Sequence, residues 1–416
     1  MEKFESMEGV RAMNINFPMT LNFETPQTSK KKVLLRGPLL TQSGYGVHSR
    51  QIAKWLFSRE DLDVDVQALP WGETPWLIND DLDSGFIGQI IKKTVDPNGR
   101  LYDATVQVQL PNEWDPRLGR VNIGITASVE TDRANPEWAA ACNKMSMVIV
   151  PSKHSADSLV NAGPITTPVN IVPESYSPAL SVEKKTRVDD IEFSTPFNFL
   201  IFGQITGNNP ENDRKNIFYC IKWLCEIFEN DKDVGIVVKT NMGRNTHIDR
   251  KLVTQTFQAL MKEVRKKSFP KLHLVHGDMS DEEVASLYRH PKIKALVTPT
   301  RGEGYGLPIL EAAVSGLPVI ATNWSGHVDF LSKGKFIELG YRLEQIHPSR
   351  IDNRIFMPGV KWANVLEEEF KKKVLKFRNS PFTPKEWALE LKAKLLKEYS
   401  IESIIKSYND VTGGLL

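Results

Sequence analysis

From Lys32 onward the chain alternates two hydrophobic rhythms. Short aliphatic runs at 33–35, 64–69, 104–110, 121–127 and 147–150 are dense in β-branched residues and predict strands. Between them, Ile52, Ala53, Leu56 and Phe57 fall on one helical face, as do Phe86, Ile87, Ile90 and Ile91. Strands and helices in alternation build parallel sheets covered by helices, an α/β architecture. Around 176–196 the rhythm lapses into SYSPALSVEKKTRVDDIEFSTP, whose proline, serine and mixed charge mark a connection between domains. A second series follows, with strands predicted at 199–202, 234–238, 272–275, 295–297 and 319–321. Its cleanest helix has Ile217, Cys220, Ile221, Leu224, Cys225 and Phe228 on one face. Ser280 and Glu283 are spaced as a capping box for a helix from about Asp281. From Trp362 the pattern predicts helix, with 367–369 (EEE) and 371–373 (KKK) forming a solvated, salt-bridged face. Residues 1–32 lack periodicity and are expected to form an arm or added edge element.

A length of 416 residues exceeds one ordinary domain, so two are expected, over 33–190 and 191–395. Such a pair places a ligand site in the cleft between them, at the C-terminal ends of strands. Hydrophobic residues at 41% and charged residues at 25% exclude disorder as the main state. No apolar run reaches the ~20 residues of a membrane span. The 53 Lys plus Arg against 51 Asp plus Glu leave +2, which gives no chain-wide cationic surface for nucleic acid. Cys142, Cys220 and Cys225 lack metal-ligand spacing and are expected as buried, reduced thiols. The first residues show no secretory signal, so a cytoplasmic location is expected. No Asp-x-Asp sits at a strand end, and no metal site is expected.

The most informative stretch is TPTRGEGYGLPILE, residues 298–311. A strand ends at Thr298, a loop with Gly302, Gly304 and Gly306 follows, and 307–315 predicts a helix. Glycines let backbone N–H groups approach a ligand, and a helix N-terminus adds partial positive charge. Glu303 and Glu311 can face one cleft, where carboxylates accept hydrogen bonds from sugar hydroxyls. Read alone, they are equally a loop with a surface glutamate pair. EGYGLPILEAAVSGLPVIATNWSG, however, closely resembles the E-x7-E region of retaining glycosyltransferases of family 4, the glycosyl transferases group 1. Gly316, Pro318 and Gly326 extend the match. The resemblance implies the GT-B fold, two Rossmann-like domains with parallel sheets facing a central cleft. It implies that Glu303 contacts the donor-sugar hydroxyls. It gives the backbone of Gly304, Tyr305, Gly306 and Leu307 the sugar and distal phosphate, and Glu311 the ribose hydroxyls.

FGQITGNNPENDRKNI resembles the family's donor-diphosphate loop, which implies phosphate contacts for Lys215 and its neighbour Arg214. One departure is clear: Gln204 follows Gly203 where arginine is usual, so either Arg214 supplies the missing charge or phosphate binding is weaker. Lys239, at a strand end, is a further candidate cation, and Met279 borders the base site. The loop in RGPLLTQSGYGVHS matches the family's glycine loop over the reaction centre, which makes Gly44, Tyr45 and Gly46 acceptor or phosphate contacts, with His48 a further candidate. ASVETDRANPEW offers Glu130, Thr131 and Asp132 where many relatives use a histidine. Glu130 is the polar candidate on the acceptor side, against a capping or ion-pair role. Ser152 is expected to cap the helix after Pro151.

The resemblance covers about 33–409 and implies that the last helix, about 396–416, crosses back onto the first domain. The expected activity is retaining transfer of a hexosyl group from a UDP- or GDP-sugar to an acceptor hydroxyl, without a further cofactor. The acceptor is a glycan or glycolipid, with hydroxymethylated bases of viral DNA as an alternative. A silent nucleotide-sugar-binding protein and a sugar-nucleotide epimerase are the other classes open at this point. Nothing in the sequence sets the oligomeric state.

Overall fold

A computed structural model describes residues 30–207 and 209–416. The arm expected over 1–32 lies outside these residues except for its end, where Lys31 and Lys32 already belong to the first strand. Among the described residues no helix is long and apolar enough to cross a membrane.

The first domain runs β1 (Lys31–Gly37), α1 (Gly44–Phe57), β2 (Leu62–Ala68), α2 (Phe86–Lys92), β3 (Tyr102–Val108), β4 (Gly119–Ile125), α3 (Pro136–Cys142), β5 (Met147–Val150), α4 (Lys153–Val160) and β6 (Val169–Ile171). Its strands form one parallel sheet in the order β2-β1-β3-β4-β5-β6. The second domain contributes β7 (Phe197–Phe202), α5 (Ile217–Ile227), β8 (Val234–Lys239), α6 (His247–Val264), β9 (Lys271–Val275), α7 (Asp281–Arg289), β10 (Ile293–Thr298), α8 (Leu307–Val314), β11 (Val319–Thr322), α9 (Val328–Leu331) and β12 (Ile337–Leu339). These strands are also parallel, in the order β12-β11-β10-β7-β8-β9. Then come an antiparallel hairpin, β13 (Tyr341–Gln345) with β14 (Lys361–Val365), and helices α10 (Glu367–Asn379), α11 (Phe382–Glu398) and α12 (Ile401–Thr412).

The strands read as unbroken apolar runs because helices cover both faces of each sheet. In the second sheet, Leu200, Val237 and Leu296 pack with α7, α8 and α11, while Phe199, Ile236 and Val297 pack on the other face with α5, α6 and α10. The helix face read from 217–228 is buried as its period predicts, and the Ser280–Glu283 capping box is formed. The three cysteines are free and buried. One expectation fails: Trp362 lies in β14, and helix begins only at Glu367. The hairpin left no turn signal, because its strands are separated by the whole segment 346–360 instead of a two-residue turn.

The domains meet in a buried junction. Helix α12 leaves the second domain and sets Ile404 and Tyr408 into the core of the first. The Tyr408 ring stacks on Trp55 at 4.7 Å, and its hydroxyl shares a 3.0 Å hydrogen bond with His48 Nε2. Beside them Glu174, on the connection after β6, is 4% exposed. Its Oε1 is 3.9 Å from His48 Nδ1, its Oε2 is buried without a partner, and its carbonyl accepts a 2.7 Å hydrogen bond from the Tyr305 hydroxyl. Burial pushes His48 down to about 3, so it offers no positive charge. Burial first, and the Glu311 charge second, push the Glu174 carboxyl up from 4.5 to about 8.

Truncation of Tyr408 to alanine should destabilise the first domain by about 3–5 kcal/mol, read from urea denaturation. The Glu174 carboxyl adds a pH signature. Between its unfolded and folded pKa values the native state holds a proton that the unfolded chain has released. Stability should therefore fall as pH rises from about 4.5 to about 8, and Glu174→Gln should remove this component. A midpoint difference between wild type and Glu174→Gln that stays constant across the window would refute the neutral carboxyl.

Candidate active site

The turn before α5 aims two cations at the cleft. Asp213 is fully buried and accepts from the backbone N–H of Ile217 at 2.6 Å and of Lys215 at 3.2 Å, and from Thr206 Oγ1 at 3.0 Å. Asn216 adopts a left-handed conformation (φ 56°), and its side chain donates to Pro299 O. This tight turn projects Arg214 and Lys215 to one side, opposite the loop that leaves β10.

Glu303 on that loop meets both. Lys215 Nζ lies 2.7 Å from each carboxylate oxygen of Glu303, and Arg214 Nη1 lies 3.2 Å from Oε2. Thr300 donates to Oε1 at 2.9 Å, and Ser325 Oγ accepts from the Glu303 N–H at 2.9 Å. Across the domain boundary, Arg214 Nη2 pairs with Glu130 at 3.2 Å. Glu303 is 5% exposed. Burial by itself would raise its carboxyl, but the charges of Lys215 and Arg214 and the Lys215 hydrogen bonds outweigh it and hold the group down to about 2. Two cations and two carboxylates thus share one buried space.

The loop that carries Glu303 lies directly on the first domain. A Cβ on Gly304 would sit 2.6 Å from Ala127 O, so only glycine allows this approach. Gly306 begins α8 at φ 102°, a conformation that favours glycine. The Gly304 carbonyl accepts from Ser152 Oγ at 2.6 Å and Ser155 Oγ at 3.1 Å. Ser152 caps α4 as expected and also grips the other domain.

The remaining candidates are spread more widely. Gly203 lies against the aliphatic part of Lys215, and Gln204 is exposed beside Gly243. Lys239 ends β8 as expected, but it is buried and donates to Gly277 O at 2.6 Å. Met279 and Leu307 are half-buried against the second domain's core. Tyr305 is buried and turned to Glu174. Glu311 accepts from the Tyr288 hydroxyl at 3.3 Å, and burial, with the Asp281 charge behind it, raises it to about 8. In the glycine loop, Gly44, Tyr45 and Gly46 form the first turn of α1. The Tyr45 hydroxyl bonds Thr126 Oγ1 and Ala127 N, both at 3.0 Å, and its ring stacks on Trp71. His48 is not brought to the glycine loop's side: it is 2% exposed and bonded to Tyr408, so its assignment to the acceptor is replaced by a packing role in the first domain.

Sequence reasoning missed Asp213, Thr300, Ser325 and Ser155. Asp213 and Ser325 lie inside the segments quoted for the resemblance and Thr300 just before one, and Asp-Arg-Lys before an apolar helix face is a readable capping signal. The contacts of Ser325 and Ser155 are tertiary and follow from no local pattern.

Residues 214–348 match the family model of glycosyl transferases group 1. Among curated proteins, sucrose synthase of Melioribacter roseus is 26% identical over 165 residues, which is 36% of this chain but only 21% of that protein. Among solved structures, a glycosyltransferase from Rickettsia africae superimposes with a TM-score of 0.60 at 12% identity, covering 93% of this chain and 98% of that one. Anabaena HepE in complex with UDP and glucose gives 0.58 at 12% identity, over 92% and 100%. Sucrose-phosphate synthase from Thermosynechococcus elongatus gives 0.58 at 12%, over 92% and 98%. Arg214, Lys215 and Glu303 therefore lie in the segment that matches the glycosyl transferases group 1 model, and the chain around them has the GT-B fold.

Proposed function

We propose that this chain is a retaining glycosyltransferase that moves a hexosyl group from a UDP- or GDP-linked sugar to an acceptor hydroxyl, on a glycan or glycolipid. The observation that carries this reading is Glu303 clamped between Lys215 and Arg214 just before the N-terminus of α8. A departing diphosphate gains charge in the transition state, and preorganised cations and backbone N–H groups in a buried site are what stabilise it. Lys215 and Arg214 supply the cations. The start of α8, from Gly306, supplies the N–H groups.

On donor binding, the diphosphate replaces Glu303 as the partner of the two cations. The carboxylate is then free to accept hydrogen bonds from the sugar. Glu130 faces the same cations from the first domain, so it lies on the acceptor side of the transferred group. Retention follows from attack on the face that the diphosphate leaves, with a diphosphate oxygen taking the acceptor proton, so the site needs no strong protein base. Closure of the two domains excludes water and favours transfer over hydrolysis.

The DNA alternative required a basic face that includes Arg36, Arg50, Arg117 and Arg120. Arg36 donates to Gln67 and Gln109, and Arg50 donates to the carbonyls of Leu39 and Thr41. Arg117 pairs with Asp115, and Arg120 with Asp103. Arg36 and Arg50 are thus engaged internally and only Arg117 and Arg120 are exposed, which leaves half of that face and supports the glycan or glycolipid reading over DNA.

The test is nucleotide release over a panel of UDP-, GDP- and ADP-sugars, with and without pooled glycan acceptors. One donor should turn over. Glu303→Ala should lower kcat about 10²-fold or more while retaining nucleotide binding, and Lys215→Ala should lower kcat and weaken donor binding together. Tight donor binding without release from any pool would instead make the chain a binding protein. No binding of any nucleotide-sugar would reject the reading.

A further inference from the structure

The segment 346–360 between β13 and β14 leaves the second domain and lies along the first as a strap. Ile346, Phe356, Val360 and Trp362 are buried in one cluster with Trp114 and Trp138 of the first domain. Polar contacts fix it there. The Asp132 N–H donates to Lys361 O at 2.8 Å, and the Lys361 N–H donates to Asp132 Oδ1 at 2.6 Å. Asn135 donates to Arg354 O at 3.0 Å, and Arg354 pairs with Glu113 at 3.1 Å. The strap is therefore anchored beside Glu130, two residues before Asp132.

Arg350 stands on this strap, half-buried, with its guanidinium 4.2 Å from the centre of the Phe356 ring. Its Nε is buried and has no hydrogen-bond partner. Among the described residues no carboxylate oxygen lies within 4 Å of it. Three neighbouring cations are matched by carboxylates, Arg214 and Lys215 by Glu130 and Glu303 and Arg354 by Glu113. Arg301, whose Nε is also orphaned, is held by the carbonyls of Pro210, Glu211 and Asp213. Burial, followed by the nearby Arg214 charge, lowers the Arg350 pKa, with Glu130, Asp352 and Asp213 acting in the opposite sense. Arg214, Glu130 and Asp213 belong to the cluster around Glu303. A half-buried cation without an ion-pair contact and with an orphaned N–H has hydrogen-bonding capacity that a ligand can complete.

We infer that Arg350 is a specificity-determining residue that binds an anionic group, phosphate or carboxylate, carried by the acceptor. The inference rests on the glycosyltransferase reading above. It separates two anions. Lys215 and Arg214 serve the donor's diphosphate, while Arg350, on the strap beside Glu130, serves the acceptor's charge. Stacking on Phe356 holds the planar fork ready for two parallel hydrogen bonds, which a lysine cannot reproduce.

Calorimetric binding of glucose, glucose 6-phosphate and glucuronate to the full chain tests this, and the two anionic sugars separate phosphate from carboxylate. Wild type, Arg350→Gln, Arg350→Lys and Lys215→Ala are compared, with UDP binding measured alongside. Wild type should bind at least one anionic sugar about tenfold or more tightly than glucose. That preference should vanish in Arg350→Gln, survive in part in Arg350→Lys, and persist in Lys215→Ala. UDP binding should be unchanged in Arg350→Gln and weakened in Lys215→Ala. No preference in wild type, or an undiminished one in Arg350→Gln, overturns the inference. Loss of the preference in Lys215→Ala also overturns it, because the anion would then occupy the donor's phosphate site. A wild type that prefers anionic sugars but binds no nucleotide would sink the donor reading while leaving the Arg350 assignment intact.

Discussion

A buried charge needs a partner, and here that requirement couples the two domains. Arg214, Lys215 and Glu303 come from the second domain, but Glu130 comes from the first. Removing several charges from water is expensive, and their mutual attraction repays that cost only when the geometry is complete. The geometry is complete only when the loop at Gly304 lies on Ala127 and the hydroxyls of Ser152 and Ser155 hold the Gly304 carbonyl. Domain docking and charge balance are therefore one problem. The same glycine that lets a phosphate approach the backbone also lets the two domains touch.

The cluster also balances its own charge. With two cations and two carboxylates it is formally neutral, so no free anion is needed for folding. On the proposed reading, a donor diphosphate would meet cations already desolvated and aimed, which is the preorganisation that lowers a barrier most effectively. The junction at Glu174 works by the opposite logic: there burial and the Glu311 charge act together, and the carboxyl is held neutral up to about 8. One fold thus drives two glutamates to opposite protonation states, by the presence or absence of cations within hydrogen-bond reach.

Most of the architecture was legible because parallel strands buried on both faces leave plain apolar runs, and α5 shows its buried face in Ile217, Cys220, Ile221 and Leu224. Less legible were short elements with weak periodicity. The three-residue strands β6 and β12 are too brief to show alternation, and β14 merges in sequence with the charged helix that follows it. In the site, Glu303, Lys215, Arg214 and Glu130 were readable as candidates, and the structure gathers them. His48 was misplaced because a histidine near a glycine loop looks the same whether it faces a ligand or a core. What decides is Tyr408, 360 positions away, which no local pattern reveals.

The substitution of Gln204 for the usual arginine shows why a motif residue is best judged by the charge around it. Gln204 is exposed and lies beside Gly243, while Gly203 before it lies against the aliphatic part of Lys215. Arg214 instead carries its guanidinium to Glu303 and the Gly302 carbonyl, next to the Lys215 ammonium. Two cations therefore remain within reach of the loop before α8, delivered by adjacent residues of one turn instead of two separate loops. Asp213 makes this possible, since its buried carboxylate ties down the N–H groups of Lys215 and Ile217 and fixes the direction of both side chains. The chemistry of a leaving diphosphate constrains the number and direction of charges. It leaves open which position in the chain provides them.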